Sequence, residues 1–560
     1  PPPPLKGSAI IAMPPENSLE NSPEHNWWRG AVFYQVYPRS FMDTSGNGVG
    51  DLPGITQNLG YIADLGVDAL WISPFLKSPQ KDYGYDVSDY YQVDPLFGSL
   101  DDYRNLLDAA HRLKLKVIMD MVLSHTSDQH EWFRQSKQNR TNPKADWYVW
   151  ADPKPDGSPP NNWLSIFGGP AWRFHPGRGQ YYLHNFLKEQ PDLNYHNKDV
   201  RQAMLDTCRF WLDFGVDGFR LDAVNFCTHN RGLHDNPPRS DGGSSSQLDF
   251  PEAYNMQWHI HDKTQPENLS FMRQIRALLD DYDNRFALAE IGDDNAVQTS
   301  AHYTADDDLL HTAYSFDLMG HKGAMPGNRF FIQTLTNQMA EPGQSWPSWA
   351  FSNHDVVRAP SRWSGTEYGH SPALSRLLPV LLCSLRGTAF LYQGDELGLP
   401  EAAITPDQIC DPWGRYLWPL WQGRDGCRTP MPWNNESPHA GFSTAQETWL
   451  PIPSTHRGLT VATQEKDKTS TLHAVRNFLH WRKRQGALKD GDIEFLDTAP
   501  DILCFKRSKK GQDTIICAFN LSAELQDVPS HGALAYASDG ANENGESVRL
   551  PAYGFVFFKP

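Results

Sequence analysis

The stretch Gly218-Phe219-Arg220-Leu221-Asp222 closes an apolar segment with an arginine and a carboxylate on alternate positions. Residues i and i+2 of a strand point the same way, so Arg220 and Asp222 share one face and pair electrostatically. Working outward, the same unit recurs: a short apolar or β-branched run, a polar loop, then a segment of helical period. Strand candidates are Ala31 to Tyr37, Ala69 to Ser73, Val117 to Met121, Gly218 to Asp222, Phe286 to Glu290, Ala313 to Asp317, Ser348 to Ser352 and Thr388 to Tyr392. Helical phasing at Tyr103, Leu106, Leu107, Ala110 and Leu113 follows a capping signal, Ser99-Leu100-Asp101-Asp102, and Val200 to Phe214 reads as a second helix. Eight β-then-α units predict an α/β fold, a (β/α)8 TIM barrel whose active site lies at the C-terminal ends of the strands.

Two regions break the repeat. The interval His125 to Asn194 is long, turn-rich and aromatic, and reads as a subdomain inserted after the third strand that walls the pocket. Beyond the helix Thr469 to Arg484, short alternating runs such as Ile493 to Leu496, Ile502 to Lys506, Thr514 to Asn520 and Gly554 to Phe558 predict a C-terminal antiparallel β domain. The expected organisation is a flexible Pro-rich leader over 1–26, a barrel over 27–124 and 195–487, an insert over 125–194 and a β domain over 488–560. Asp241 to Gln247, rich in Gly and Ser, reads as a mobile loop near the pocket mouth.

At 560 residues two or three domains are expected, and 39% apolar with 21% charged residues is ordinary for a globular enzyme. A net charge of −17 argues against nucleic acid or an anionic membrane surface as partner and fits a neutral substrate. Aromatic content of 12% suits sugar stacking and equally suits a large core. The seven cysteines are odd in number and scattered, which fits a reducing compartment and a cytoplasmic location. Cys410 and Cys427 flank one loop, which leaves a disulfide between them open. No run of about eighteen apolar residues is present to span a membrane.

Two further acids sit in settings like that of Asp222: Glu290 in Leu288-Ala-Glu-Ile-Gly292, and Asp355 in Ser352-Asn-His-Asp355. A lone Asp after a strand is more often a helix cap or a solvated loop residue. Three such acids at strand ends match what a retaining glycosidase needs: a nucleophile, a proton donor and a charge that steadies an oxocarbenium-like transition state.

Together these motifs resemble glycoside hydrolase family 13, the α-amylase superfamily, in its α-glucosidase and oligo-1,6-glucosidase branch. The resemblance implies Asp222 as nucleophile with Arg220 as its partner, Glu290 as acid/base and Asp355 as the acid that holds the distorted ring. It implies that Asp82, Tyr85 and Asp86, around Tyr83-Gly-Tyr-Asp86, serve the −1 sugar together with His125 and His354. Arg424, in Gly423-Arg-Asp-Gly-Cys-Arg-Thr-Pro430, would pair with Asp82 and close the pocket behind the non-reducing sugar, giving an exo-acting enzyme. Ser124 stands where the family usually has Asn, and Gln190-Pro-Asp-Leu-Asn194 resembles a motif that sets this branch apart.

Oxygen-bearing residues alternate with glycine in the loop Asp43, Ser45, Asn47, Val49, Asp51, a spacing that suits a hard cation; the family binds Ca²⁺ or Mg²⁺ there, usually with Asp in place of Asn47. Such an ion would be structural, since the implied catalysis needs no cofactor. Ala223, directly after the nucleophile, resembles α-1,4-specific members, which points to maltose and short or aryl α-glucosides. Phe167 is expected to form an apolar +1 wall that favours alcohol or phenol acceptors and hence transglucosylation. The rival readings are a sucrose isomerase, a trehalose-forming mutase and an inactive transporter-associated relative; the protein is expected to be a monomer or a homodimer.

Overall fold

A computed structural model describes residues 26–240, 253–342, 346–366 and 368–560. The expected leader, through residue 25, and the Gly/Ser stretch 241–247 lie outside these. Eight strands close into a barrel: β1 Val32–Val36, β2 Ala69–Ile72, β3 Lys116–Val122, β4 Gly218–Asp222, β5 Phe286–Glu290, β6 Thr312–Ser315, β7 Ser348–Ala350 and β8 Thr388–Tyr392. Each pairs in parallel with its sequence neighbours, and β8 returns to β1.

Alternation along the strands sorts the side chains into two layers. Phe33, Trp71, Ile118, Phe286, Leu288 and Phe390 fill the barrel interior, with the rings of Phe33 and Phe390 stacked at 4.7 Å. Phe219 and Leu221 join the larger core between barrel and helices. Fully burying each such side chain contributes about 1.5–3 kcal/mol. Gly218 is required where β4 meets β5, because a Cβ there would lie 1.9 Å from the carbonyl oxygen of Phe286.

The helix Leu100–Arg112 starts at the expected capping box, with Ser99 and Asp102 each bonding the other's backbone N–H. Lys198–Phe214 is capped by Asn197 and stops at Gly215 in the left-handed region. Between β3 and that helix, Trp150–Ala151, Trp172–His175 and Gln180–Leu183 form a small antiparallel sheet. A bridge between His125 and Asp192 ties this insertion back to the end of β3. At the C-terminal end lies a five-stranded antiparallel sheet, joined to the barrel helix Thr471–Arg482 through Phe478 and Trp481 packed on Tyr536 and Phe557.

Four strands are shorter than expected: β1 runs Val32–Val36 in place of Ala31 to Tyr37, and β2 stops at Ile72 in place of Ser73. β6 was expected to run to Asp317 and stops at Ser315, with Asp317 opening a short helix, Asp317–Gly320; β7 was expected to run to Ser352 and leaves the ladder after Ala350. All seven cysteines are free, so Cys410 and Cys427 form no disulfide. Among the described residues no helix is long and apolar enough to cross a membrane.

The close approach at Gly218 makes Gly218→Ala a severe change, costing more than about 4 kcal/mol in denaturant titration or preventing folding outright. Gly60, on an exposed helical turn with no atom within 4 Å of its would-be Cβ, is the control. Gly60→Ala should raise stability by about 0.4–1 kcal/mol in the same titration.

Candidate active site

Strand register builds the floor of the site. Asp120 on β3 lies directly across from Arg220 on β4, and Leu288 on β5 flanks Arg220 on the other side. Period-two alternation carries Asp222 and Glu290 one step further, to the barrel's C-terminal rim. The Arg220 guanidinium, 1% exposed, rests 5.2 Å from the Trp71 ring centroid. Its Nη1 donates to Asp120 Oδ1 at 2.7 Å and to Asp222 Oδ1 at 2.6 Å, while Nη2 donates to Glu290. Ala223, in the left-handed region at φ 40°, turns its N–H to Glu290 Oε2 at 3.0 Å.

One cation shared by three buried acids cannot keep all of them ionised. Burial pushes Glu290 up to about 8, and the neighbouring charges of Asp222 and Asp355 add to the shift against the pull of Arg220. Burial likewise raises Asp222, to about 7. Arg220, expected as the partner of Asp222, serves both acids. Its hydrogen bond helps to lower Asp222, whereas the negative charges around Glu290 raise that acid further.

Asp355 sits in the opposite environment. Burial opposes its ionisation, but His354, Arg424 and Arg428 outweigh that penalty and hold it well below the usual carboxylate range. Arg424 Nη1 reaches Asp355 Oδ1 at 3.2 Å and Arg428 Nη2 reaches it at 2.8 Å. Nη2 of Arg424 extends to Asp82 Oδ1 at 3.0 Å, so the expected pair is made.

The pocket, of about 910 Å³, is lined by Asp82, Tyr85, His125, Phe167, Asp222, Ala223, Glu290, Asp355 and Arg424 among the expected residues. Arg220 lies beneath it. Two expected sugar contacts, Asp86 and His354, lie outside the lining. Asp86 is fully buried and accepts from the Lys81 and Asp82 amides and from Ser78 Oγ, holding the turn that carries Asp82. His354 is also buried and outside the lining; Gln35 and the Tyr85 hydroxyl occupy its ring nitrogens at 2.7 and 2.5 Å. Burial lowers it to about 3, so it stays neutral.

Several lining residues carry no role in the sequence reading. Gln190 contacts Asp82 Oδ2 and His125 Nε2, each at 3.1 Å; its motif was noticeable but gave it no position. Trp413 packs 5.3 Å from Phe167, and Phe186 and Phe226 continue the aromatic rim. Phe316, Met319 and Val297 line the part of the pocket contributed by the segments after β5 and β6, where the sequence shows no motif.

The Asp43–Asp51 loop does not fit a hard cation. Asp43 accepts from Ser45 Oγ, the Gly46 and Gly48 amides and Ser443 Oγ. Asp51 accepts from Thr44, from the Ser45 amide and, as a helix cap, from the Gly54 amide. Asn47 Oδ1 accepts from the Val49 amide. The oxygens a cation would need face the loop's own donors, and among the described residues no group of three His, Cys, Asp or Glu side chains could hold a metal ion.

A closed (β/α)8 barrel that gathers three carboxylates at its strand ends around a sugar-sized pocket is the framework of a glycoside hydrolase. Residues 35–491 match the family described as Alpha amylase, catalytic domain. A probable alpha-glucosidase of Rhizobium meliloti (strain 1021) is 49% identical over 549 residues, covering 96% of this chain and 97% of the relative. Among solved structures, the alpha-glucosyl transfer enzyme XgtA aligns with a TM-score of 0.90 at 51% identity, covering 95% of this chain and 99% of that one. The trehalulose synthase MutB from Pseudomonas mesoacidophila MX-45 aligns at 0.86 and 31% identity, covering 95% and 99%. The chain belongs to the α-amylase family of glycoside hydrolases, in the branch of α-glucosidases and oligo-1,6-glucosidases, and its activity is that of an α-glucosidase.

Two measurements follow from these environments. The acid/base pair should give a narrow bell in kcat/KM, rising as Asp222 ionises near 7 and falling as Glu290 loses its proton near 8; a plateau from pH 4 to 10 would contradict the arrangement. Chelation with EDTA or addition of Ca²⁺ should leave the Tm unchanged, because the loop's carboxylates already bond its own amides and hydroxyls.

Proposed function

We propose that the enzyme is a retaining, exo-acting α-glucosidase that removes terminal α-1,4-linked glucose from maltose and short or aryl α-glucosides through a covalent glucosyl intermediate, and that it transfers glucose to alcohols and phenols. The observation that carries this reading is that Asp222 and Glu290 bond adjacent nitrogens of the same Arg220 guanidinium. An inverting enzyme needs its two acids far enough apart, about 6.5–9.5 Å, to hold a water between them. Two carboxyls bonded to neighbouring nitrogens of one guanidinium, Nη1 and Nη2 of Arg220, favour the shorter spacing of a retaining enzyme.

The chemistry runs in two displacements. Asp222 attacks C1 as the bond to the leaving oxygen breaks, and Glu290 gives that oxygen its proton, releasing the aglycone as an alcohol. An acceptor O–H then loses its proton to Glu290 as its oxygen takes C1, and Asp222 leaves as the carboxylate. The lower affinity of Asp222 for a proton suits it to the first role and the higher affinity of Glu290 to the second. Asp355, kept ionised by Arg424 and Arg428, supplies fixed negative charge beside the sugar.

The Asp82–Arg424 pair supports exo action, since it stands where a sugar beyond the non-reducing end would have to pass. Phe167, Trp413, Phe186 and Phe226 give the acceptor side an apolar wall. Such a wall holds an aromatic or alkyl alcohol better than it holds water, which favours transfer.

In concentrated maltose with 4-hydroxybenzyl alcohol, α-glucosides of the alcohol should form alongside glucose, and glucose should first appear in NMR as the α-anomer. Free glucose alone would remove the transfer half of the proposal, and initial β-glucose would remove retention. Conversion of sucrose to a disaccharide isomer in preference to maltose cleavage would place the chain with the isomerases instead. Asp222→Asn should lower kcat by about 10⁴-fold or more with an unchanged Tm.

A further inference from the structure

Arg424 has three acidic partners: Asp82, Asp355 and Asp411. The first two line the pocket and Asp411 does not; it is fully buried behind the arginine. Yet Asp411 makes the most bonds to it. Arg424 Nε reaches Asp411 Oδ2 at 3.1 Å, Nη2 reaches Oδ1 at 2.7 Å, and the Arg424 backbone N–H reaches Oδ2 at 2.8 Å.

The same carboxylate caps the helix Pro412–Leu417, accepting from the Trp413 amide at 3.3 Å. The Trp413 ring lies 5.3 Å from Phe167, and the Arg424 guanidinium lies 5.3 Å from the Phe167 centroid and 5.7 Å from that of Trp413. Asp411 is itself fixed: its amide and that of Cys410 donate to Asp425 Oδ2 at 2.9 and 2.6 Å. At the base of the 411–424 excursion the backbones touch. A Cβ on Gly423, at φ 86°, would lie 2.7 Å from Asp411 Oδ2, and one on Gly414 would lie 2.5 Å from the Gln422 carbonyl oxygen.

We propose that Asp411 is a positioning residue for substrate recognition: it grips the rear edge of Arg424 so that the front edge stays aimed at Asp82 and Asp355. This rests on the reading of Arg424 as the residue that closes the pocket. Arginine has a long, flexible stem, and a free guanidinium would lose rotamer freedom each time a sugar bound. Anchored on Nε, Nη2 and the main chain, it is already in place before the sugar arrives, and the affinity gained comes from that preorganisation. Asp411 touches no substrate, so its effect must pass through Arg424.

A double-mutant cycle tests this, with Asp411→Asn and Arg424→Met alone and combined, reading kcat and KM for an aryl α-glucoside, the Ki of glucose as competitive inhibitor, and the Tm. Asp411→Asn should raise KM and the glucose Ki by about 10- to 100-fold, the worth of a charge-assisted bond, with a smaller change in kcat. In the Arg424→Met background the same substitution should change neither. Equal effects in both backgrounds, or a lowered Tm with the glucose Ki unchanged, would overturn the proposal. If Arg424→Met itself leaves the glucose Ki unchanged, the reading of Arg424 fails and the inference fails with it. Should Asp411→Asn not fold, Asp411→Glu keeps the charge while displacing the carboxyl, and the same comparison across the two backgrounds decides.

Discussion

A single guanidinium organises the catalytic half of this molecule. Arg220 lies on the apolar plug of the barrel, over Trp71, where an unpaired charge would be prohibitively costly. Its planar fork allows it to meet Asp120, Asp222 and Glu290 from three adjacent strands at once, which a lysine's point charge on a flexible stem would not do with fixed geometry. The positions of the proposed nucleophile and proton donor are therefore consequences of strand register: Asp120 opposite Arg220 on one side, Leu288 on the other, and Asp222 and Glu290 one pleat further along.

Cation count then decides protonation. Around Arg220 one positive charge is divided among three buried acids, and both Asp222 and Glu290 rise to near neutrality. Around Asp355 two guanidiniums converge, and the same kind of side chain, equally removed from water, falls far below its ordinary value. One barrel rim thus holds carboxyls ready to exchange protons beside one that stays charged. Asp82 shows that a partner alone is not sufficient: burial outweighs its bond to Arg424 and lifts it to about 6.

Much of this was legible in the sequence, and the gaps have physical causes. β4, β5 and β8 match their expected bounds because apolar runs and terminal polar residues mark both ends. β6 and β7 end early because the chain must leave the ladder to swing Asp317 into a helix and Asp355 over the pocket, and composition does not record that departure. The three carboxylates were found because each sits in a short local pattern. His354 and Asp86 belong to the same patterns but face inward, since a motif marks nearness to a site and not the direction of a side chain. Gln190, Trp413 and Asp411 come from excursions that reach the pocket only after the barrel has closed. The Asp43–Asp51 loop is the converse case: its oxygens have the spacing for a cation, but the backbone N–H groups that decide their orientation are invisible in a one-letter string.

The two halves of the pocket are built by different rules. On the donor side, charged groups that are buried or nearly so hold one another in place, so a change to any one of them leaves another unpaired in a largely dry environment. The acceptor side is walled by Phe167 and Phe186 from the insertion after β3, Phe226 from the turn after β4, Phe316 after β6 and Trp413 after β8. These contacts are apolar and made by separate loops, so each can change shape without stranding a charge. A framework of this kind can keep one glucosyl transfer fixed while the partner that receives the sugar varies.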